Sequence, residues 1–122
     1  MPVRVVDASV VAAIVFGEPE ADRAARLLGD DELVAPALLR YEVTNIAWKK
    51  ARRTPRQADL IARALRLALD LDIRHVDVDH DAVLGLAIEK NVTPYDAAYL
   101  WLARTLKAPL ATLDARMEAA GK

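Results

Sequence analysis

Four acidic residues stand in apolar surroundings at widely separated points of the sequence. They are Asp7 in Val-Val-Asp-Ala-Ser, Glu42 in Tyr-Glu-Val-Thr-Asn, Asp96 in Pro-Tyr-Asp-Ala-Ala-Tyr and Asp114 in Ala-Thr-Leu-Asp. Burying a charge is costly unless an opposite charge or hydrogen bonds compensate it. Four carboxylates directed to one place would therefore indicate a divalent cation, and oxygen-only ligands suit Mg²⁺ or Mn²⁺ better than zinc.

Such a site could hydrolyse a phosphodiester. Two ions about 4 Å apart can stabilise the attacking and leaving oxygens of an in-line displacement, with a metal-activated water as the nucleophile. No protein nucleophile is required, and the sequence contains no cysteine. Three small polar residues near the acidic ones could orient carboxylates or hold water, namely Ser9, Asn45 and Thr112.

Each acidic residue also has a purely structural explanation. Asp7 can cap a turn, Asp114 is a suitable helix N-cap, and Asp96 in the first turn of a helix can offset the helix dipole. Glu42 is different because it lies in the middle of a predicted helix, where it caps nothing. Both explanations stay open for each residue alone, whereas the set of four favours a site.

The elements that would position these residues alternate between strand and helix. Short apolar runs predict strands at Val3 to Val6, Leu33 to Ala35, Ile73 to Val78 and Pro109 to Leu113. Helices are predicted after a Ser9 cap, from Glu18-Pro19 to Gly29, Ala37 to Arg53, Thr54-Pro55 to about Leu71, Asp81 to Lys90, Thr93-Pro94 to Leu106, and after an Asp114 cap. This order predicts an α/β fold with a parallel sheet covered on both faces and ligands at the carboxyl ends of its strands.

Length and composition restrict the class of protein. A chain of 122 residues is expected to form one domain, and an absence of cysteine excludes disulfide frameworks and thiolate metal sites. The first residues do not resemble a signal peptide, and the longest apolar run, Val10 to Phe16, is too short to cross a bilayer. We expect a cytoplasmic protein without membrane association. His75 and His80 lie away from the four acidic motifs and are expected to be structural or solvent-facing.

The net charge of −1 conceals a strong asymmetry along the chain. Residues 40–66 contain eight basic and two acidic residues, whereas residues 70–96 contain seven acidic and two basic ones. Solvated helix faces would explain this, and so would a polyanionic substrate. In the second case, the residues expected to contact RNA are Lys49, Arg52 and Arg53, which follow Glu42 on its predicted helix.

In this order and spacing, the four acidic motifs resemble those of PIN domains, and more narrowly those of VapC-type toxins from bacterial toxin–antitoxin pairs. The resemblance covers nearly the whole chain and implies one PIN domain over residues 1–122, with a parallel sheet of four or five strands between helices. It implies an Mg²⁺- or Mn²⁺-dependent endoribonuclease with its acidic residues at Asp7, Glu42, Asp96 and Asp114. Its polar accessory residues fall on Ser9, Asn45 and Thr112. It further implies a homodimer that is inhibited by a small antitoxin protein.

The sequence departs from the PIN pattern at one point and leaves two alternative functions open. PIN domains of this type commonly carry a strand after the last helix, whereas this sequence ends at Gly121-Lys122. A catalytically inactive PIN-like module that binds RNA or protein would have the same motifs. A receiver-type phospho-acceptor domain shares the α/β plan, but it needs paired acids after the first strand, where this sequence has Asp7 alone.

The antitoxin is expected to bind the helices between Ala37 and Leu71. The second of them carries an apolar stripe that could equally belong to the core, formed by Leu60, Ile61, Ala64, Leu65, Ala68 and Leu71. Because only Thr54-Pro55 joins these two helices, they are expected to form a hairpin that leaves part of the stripe for a partner helix.

Overall fold

A computed structural model describes residues 2–121, in which one parallel sheet lies between two layers of helices. The strands are β1 (Val3–Val6), β2 (Glu32–Pro36), β3 (Ile73–Val76) and β4 (Leu110–Ala111). The helices are α1 (Ala8–Val15), α2 (Ala21–Leu28), α3 (Leu38–Arg53), α4 (Ala58–Leu69), α5 (His80–Lys90), α6 (Pro94–Leu106) and α7 (Ala115–Ala120), with a 3₁₀ turn at Pro55–Gln57. The predicted α/β class is confirmed, with four strands in the described part of the chain.

The order of the strands brings the ends of β1 and β4 together. The sheet runs β3-β2-β1-β4, and Val5 of β1 pairs with Val34 on one side and Leu110 on the other. Since all pairs are parallel, the residues that follow β1 and β4 meet at one edge of the sheet. This order differs from the 2-1-3-4-5 order of receiver domains, which removes that alternative.

Alternate residues of the central strands face two separate cores. Val6 and Ala35 pack with residues of α1, α2, α3 and α4, whereas Val5 and Val34 pack with residues of α5, α6 and α7. Successive side chains of a strand point to opposite faces, so an apolar strand with no alternation is expected to be buried on both. The predicted two-sided covering of the sheet is therefore confirmed.

Several element ends differ from their predicted positions. Strand β3 stops at Val76 instead of Val78, because its neighbour β2 ends at Pro36, the partner of Val76. Strand β4 comprises two residues, since β1 offers only Val5 and Val6 to pair with it. Helix α2 begins at Ala21, after a turn, and not at Glu18-Pro19.

The longest helix in the described part of the chain is α3, with 16 residues. Across residues 2–121, no helix combines the length and the apolar character needed to span a bilayer.

Candidate active site

Asp7 lies at the carboxyl end of β1, where it is buried and fully hydrogen bonded. Its Oδ1 accepts from the Ser9 hydroxyl at 2.6 Å and from the Val10 backbone N–H at 3.3 Å, and its Oδ2 accepts from the Thr112 hydroxyl at 2.5 Å. The bond from Val10 makes Asp7 the N-cap of α1. The prediction that Ser9 caps this helix is wrong, because Ser9 lies inside its first turn and its hydroxyl donates to Asp7 instead.

The same two hydroxyls tie the end of β1 to the loop after β4. Ser9 Oγ accepts from the Leu113 backbone N–H at 3.0 Å, and Thr112 Oγ1 accepts from the Asp114 N–H at 3.0 Å. Each hydroxyl thus donates to the Asp7 carboxylate while accepting from a backbone N–H of the loop after β4. These four hydrogen bonds fix the orientation of Asp7 relative to the backbone that carries Asp114.

Glu42 projects from the middle of α3 and meets a tyrosine of α6. The Tyr99 hydroxyl donates to Glu42 Oε1 at 2.6 Å, across 57 residues of sequence. Tyr99 is 1% exposed, and its ring belongs to the core beneath the site. This bond fixes the position of the Glu42 carboxylate between α3 and α6.

Asp96 and Asp114 occupy the starts of two helices. Asp96 lies in the first turn of α6, whose N-cap Thr93 accepts from the Asp96 backbone N–H at 3.1 Å. Asp114 is the N-cap of α7, as predicted, and its Oδ1 accepts from the N–H groups of Arg116 and Met117. The Arg116 guanidinium is 3.8 Å from Asp114 Oδ2, but its side chain is almost fully solvent-exposed.

Three of the four carboxyl groups have a raised pKa, and burial is the largest cause in each. Hydrogen bonds from Ser9 and Thr112 offset part of the rise in the pKa of Asp7. The charges of Asp7 and Asp96 add to the raised pKa of Glu42, and the charge of Asp114 adds to that of Asp96. The pKa of Tyr99 is also raised, by burial and by Glu42, so this phenol stays protonated as a donor. The four acidic residues therefore form one electrostatic group.

The donor set of this group fits a hard divalent cation. It offers carboxylate oxygens only, and burial raises the pKa of Asp7, Glu42 and Asp96, with the positive charge of the exposed Arg116 offsetting part of the rise at Asp96. Among residues 2–121, however, no three acidic or histidine side chains are close enough to form a ready metal cluster. Their own hydrogen bonds hold the carboxylates apart, Asp7 toward two hydroxyls and Asp114 toward the start of α7.

The remaining predicted site residues lie in three places. Lys49 and Arg53 line a cleft of about 570 Å³ between α1, α2 and α3, and Ser9 lines it too. Arg52 lies elsewhere, with its guanidinium 4.7 Å from the centre of the Trp48 ring. Ten residues after Glu42, it points about 80° away on a helix of 3.6 residues per turn. Asn45 is exposed and lines a separate cleft with Glu42; its amide makes no hydrogen bond within the described chain.

Both histidines lie away from the acidic group. The Nδ1 atom of His75 is buried and has no partner in residues 2–121, and burial together with the nearby Arg40 lowers the pKa of this imidazole. His80 is the exposed first residue of α5.

The family model described as "PIN domain" matches residues 4–122 of this chain. The chain belongs to the PIN-domain family. Ribonuclease VapC3 of Pyrobaculum aerophilum is 36% identical over 119 residues, which cover 93% of this chain and 90% of VapC3. This PIN domain is therefore of the VapC type, as its motifs indicate.

Two solved structures share the fold of this PIN domain. PAE2754 of Pyrobaculum aerophilum superposes with a TM-score of 0.82 at 26% identity, covering 99% of this chain and 86% of that one. VapC20 of Mycobacterium tuberculosis, a toxin that cleaves the sarcin–ricin loop, gives a TM-score of 0.69 at 20% identity, with 97% and 95% coverage. At these levels the likeness to VapC20 supports the fold alone.

Tyr99 is the contributor to the group that the sequence interpretation missed. A buried tyrosine hydroxyl needs a hydrogen-bond partner, and the sequence analysis assigns none to Tyr99. Its position three residues after Asp96 places both side chains on the same side of α6. This spacing could have indicated Tyr99 from the sequence, because it places the Tyr99 hydroxyl on the same side of α6 as the Asp96 carboxylate.

Proposed function

We propose that this protein is a metal-dependent endoribonuclease and the toxin component of a type II toxin–antitoxin pair. The observation that carries this proposal is its 36% identity to Ribonuclease VapC3 over nearly the full length of both chains. The raised pKa values of Asp7 at the end of β1, Glu42 on α3 and Asp96 on α6 support it independently. The proposed substrate is RNA.

The proposed catalytic residues are also the proposed metal ligands, namely Asp7, Glu42, Asp96 and Asp114, and the proposed cofactor is Mg²⁺ or Mn²⁺. A divalent ion held there would stabilise the negative charge that builds up on the phosphate during hydrolysis. Ser9 and Thr112 would orient Asp7, and Tyr99 would orient Glu42, because each donates a short hydrogen bond to its carboxylate. We keep Asn45 as a polar contact at the edge of the site.

The basic residues of α3 would hold the phosphate backbone of the RNA. Lys49 and Arg53 share a cleft with Ser9, whose hydroxyl bonds to Asp7, so a strand in that cleft would lead to the acidic group. For single strands, the logarithm of the binding constant falls by about 0.7 per phosphate contact for each tenfold rise in salt concentration. Replacing both residues with Ala should therefore lower the slope of log affinity against log salt by about 1.4.

Cleavage of single-stranded RNA in Mg²⁺ or Mn²⁺, and its loss in EDTA, would test the enzyme. Asp96→Asn should reduce the rate by more than about 100-fold, since changing even the outer partners of metal ligands costs about 10- to 100-fold. Asp79→Asn is the matched control, because Asp79 caps α5 outside the acidic group and Asn is an equally good cap. Equal cleavage by both variants would refute the assignment.

A catalytically inactive PIN-like binding module is the alternative. It would bind RNA without cutting it, with or without divalent ions, and Asp96→Asn would change nothing but affinity. The same pair of variants therefore separates the two functions.

The antitoxin is proposed to bind a cleft of about 630 Å³ between the end of α1 and the α3–α4 hairpin. Leu60 and Leu67 line it and are solvent-exposed, seven residues apart on one face of α4. Within the predicted stripe, Ile61 and Ala68 are buried and Leu65 packs against the core, whereas Leu60 and Leu71 are exposed. Leu67 lies outside the predicted stripe. An amphipathic helix of the antitoxin would cover the exposed leucines.

Leu67→Glu should weaken binding to a co-expressed antitoxin without changing the melting temperature. Leu65→Glu is the contrasting variant, because Leu65 lies against the core and its replacement should lower stability. Normal antitoxin binding by a folded Leu67→Glu protein would place the partner elsewhere.

We further propose a homodimer formed through α5 and a location in the cytoplasm, where RNA is available. Leu84 and Ile88 are exposed and lie one helical turn apart on α5. Ile88→Lys should convert a dimer to a monomer in size-exclusion chromatography, and an unchanged elution volume would argue against this face. Residues 1–122 would then act as one PIN domain within each protomer.

A further inference from the structure

An open cleft of about 320 Å³ adjoins the acidic group on the α6 side of α3. Its walls include Leu38, Tyr41, Asn45 and Tyr95, and it shares Glu42 with the acidic group. Its volume lies at the lower end of the range of about 300–1,000 Å³ that is usual for small-molecule sites. Whatever occupies it therefore lies next to the carboxylates.

The two tyrosines of this cleft are exposed to an unusual degree. Tyr41 is 75% exposed and Tyr95 is 60% exposed, whereas Tyr99, one turn further along α6, is buried. Neither exposed hydroxyl takes part in a hydrogen bond within residues 2–121, so hydrogen bonding in the described chain does not account for their position. Aromatic rings at the edge of an open cleft provide flat surfaces for stacking.

A third exposed aromatic ring continues this surface along α3. Trp48 is 55% exposed and lies seven residues after Tyr41, on the same side of the helix and about 10 Å further along its axis. The Arg52 guanidinium lies over the Trp48 ring at 4.7 Å. Exposed aromatic rings beside basic side chains are the combination with which proteins bind single-stranded nucleic acids.

We infer that the cleft between Tyr41 and Tyr95 binds a nucleobase next to the phosphate that is cleaved, and that Trp48 stacks on a further base. This inference rests on the ribonuclease function proposed above and specifies its substrate as unpaired RNA. A base can enter the cleft only after leaving its own stack, so a double-stranded segment is excluded. Asn45 is the one amide in the lining, and it can both donate to and accept from a base edge.

Binding of short single-stranded RNA to the non-cleaving Asp96→Asn protein tests the inference. One RNA contains a fluorescent adenine analogue whose emission is quenched by stacking, and a second RNA of equal length lacks the base at that position. The analogue is moved along the strand until its quenching is greatest. Tyr41→Leu, added to this background, should lower affinity for the first RNA about 5- to 150-fold and abolish quenching. It should change affinity for the abasic RNA much less.

Two control variants isolate the ring. Tyr41→Phe keeps the stacking surface and should bind as the parent does. Leu106→Ala removes an exposed apolar side chain, 38% exposed, at the C-terminal end of α6, and should leave quenching unchanged. Double-stranded RNA of the same sequence should bind at least as weakly as the abasic strand.

Each contrary result overturns the inference in a recognisable way. Equal affinity of the Leu and Phe variants, or equal affinity for single- and double-stranded RNA, would show that no base is stacked in the cleft. A change in oligomeric state by Tyr41→Leu with unchanged RNA affinity would show that a second copy of the chain covers the cleft. Failure of the parent protein, which retains Asp96, to bind or cleave any RNA would refute the ribonuclease function itself, together with this inference.

Discussion

The hydrogen bond between Tyr99 and Glu42 gives a prediction that can be worked out quantitatively. Tyr99→Phe removes one oxygen atom from a buried residue and leaves the shape of the ring unchanged. Because the bond is 2.6 Å long and its acceptor is a carboxylate, it belongs to the charge-assisted class. The variant therefore removes the donor that fixes Glu42, with little effect on packing.

The expected loss of stability follows from the partners. A hydrogen bond to a charged group contributes about 1.5–3 kcal/mol, and Glu42 is only partly buried, so water can replace some of the interaction. We expect a loss of about 1.5–2 kcal/mol in the free energy of unfolding at neutral pH. For a chain of this length, that corresponds to a fall in Tm of about 5–10 °C.

The loss should depend on pH with a definite sign. The bond from Tyr99 lowers the pKa of Glu42, against the larger effect of burial, which raises it. Glu42 in Tyr99→Phe should therefore have a still higher pKa. The stability difference between parent and variant is fully present while Glu42 is ionised in both proteins. It shrinks as pH falls from the higher pKa of Glu42 in the variant to the pKa of Glu42 in the parent.

Denaturant unfolding of a double-mutant cycle with Glu42→Met measures the interaction directly. Tyr95→Phe is the matched control, since Tyr95 is on the same helix with an exposed hydroxyl that makes no hydrogen bond in the described chain, and it should be neutral. A coupling energy below about 0.5 kcal/mol, within the usual error of additivity, would refute the reasoning. So would a stability difference that is constant with pH.

Three further predictions concern the acidic group as a whole. The metal-free protein should gain stability relative to Asp7→Asn as pH falls from 7, because a raised pKa of Asp7 makes the native state bind more protons than the unfolded state. The gain should begin near this raised pKa and end near the ordinary Asp pKa of 3.8. Thermal melts at each pH would measure it. Millimolar Mn²⁺ should raise the free energy of unfolding by mass action, by about 2.7 kcal/mol at 100 times the dissociation constant, and the Tm should rise with it. Calorimetry should find no such rise for Asp96→Asn. Thr112→Val, which keeps the shape but removes a donor to Asp7 and an acceptor for Asp114, should cost about 1.5–3 kcal/mol in denaturant unfolding, whereas a neutral result would show that water replaces both bonds.

The fold was predictable because its signals are local. Apolar runs such as Val3–Val6 predict strands buried on both faces, and Thr93-Pro94 and Asp114 have the side chains that start helices. Strand ends were less accurate, since the length of β3 and β4 is set by how far their neighbours extend. That information depends on pairing and is absent from the segment itself.

The acidic residues of the proposed site stand out in the sequence, whereas the hydrogen bonds that connect them to other residues do not. The apolar context of Asp7 indicates a buried carboxylate, yet nothing nearby shows that one of its donors is Thr112, 105 residues away. Tyr99 and Glu42 are similarly joined only by the fold. The side of α3 on which Arg52 lies depends on the helical angle, which a count of charges ignores. Within the α4 stripe, the separation of Leu65, which packs against the core, from the exposed Leu60 depends on tertiary packing.

The bonds from Ser9 and Thr112 to Asp7 also determine when the site can exist. Asp7 lies near the start of the chain, whereas Thr112 and Asp114 are more than 100 residues further on, and β4, which brings them to Asp7, pairs through two residues. Synthesis proceeds from the N-terminus at about 5–20 residues per second, and domains generally fold as units. A nascent chain that still lacks the segment after α6 therefore has neither the orientation of Asp7 nor the fourth carboxylate. A chain able to cleave RNA would thus be inert until its synthesis has passed Asp114.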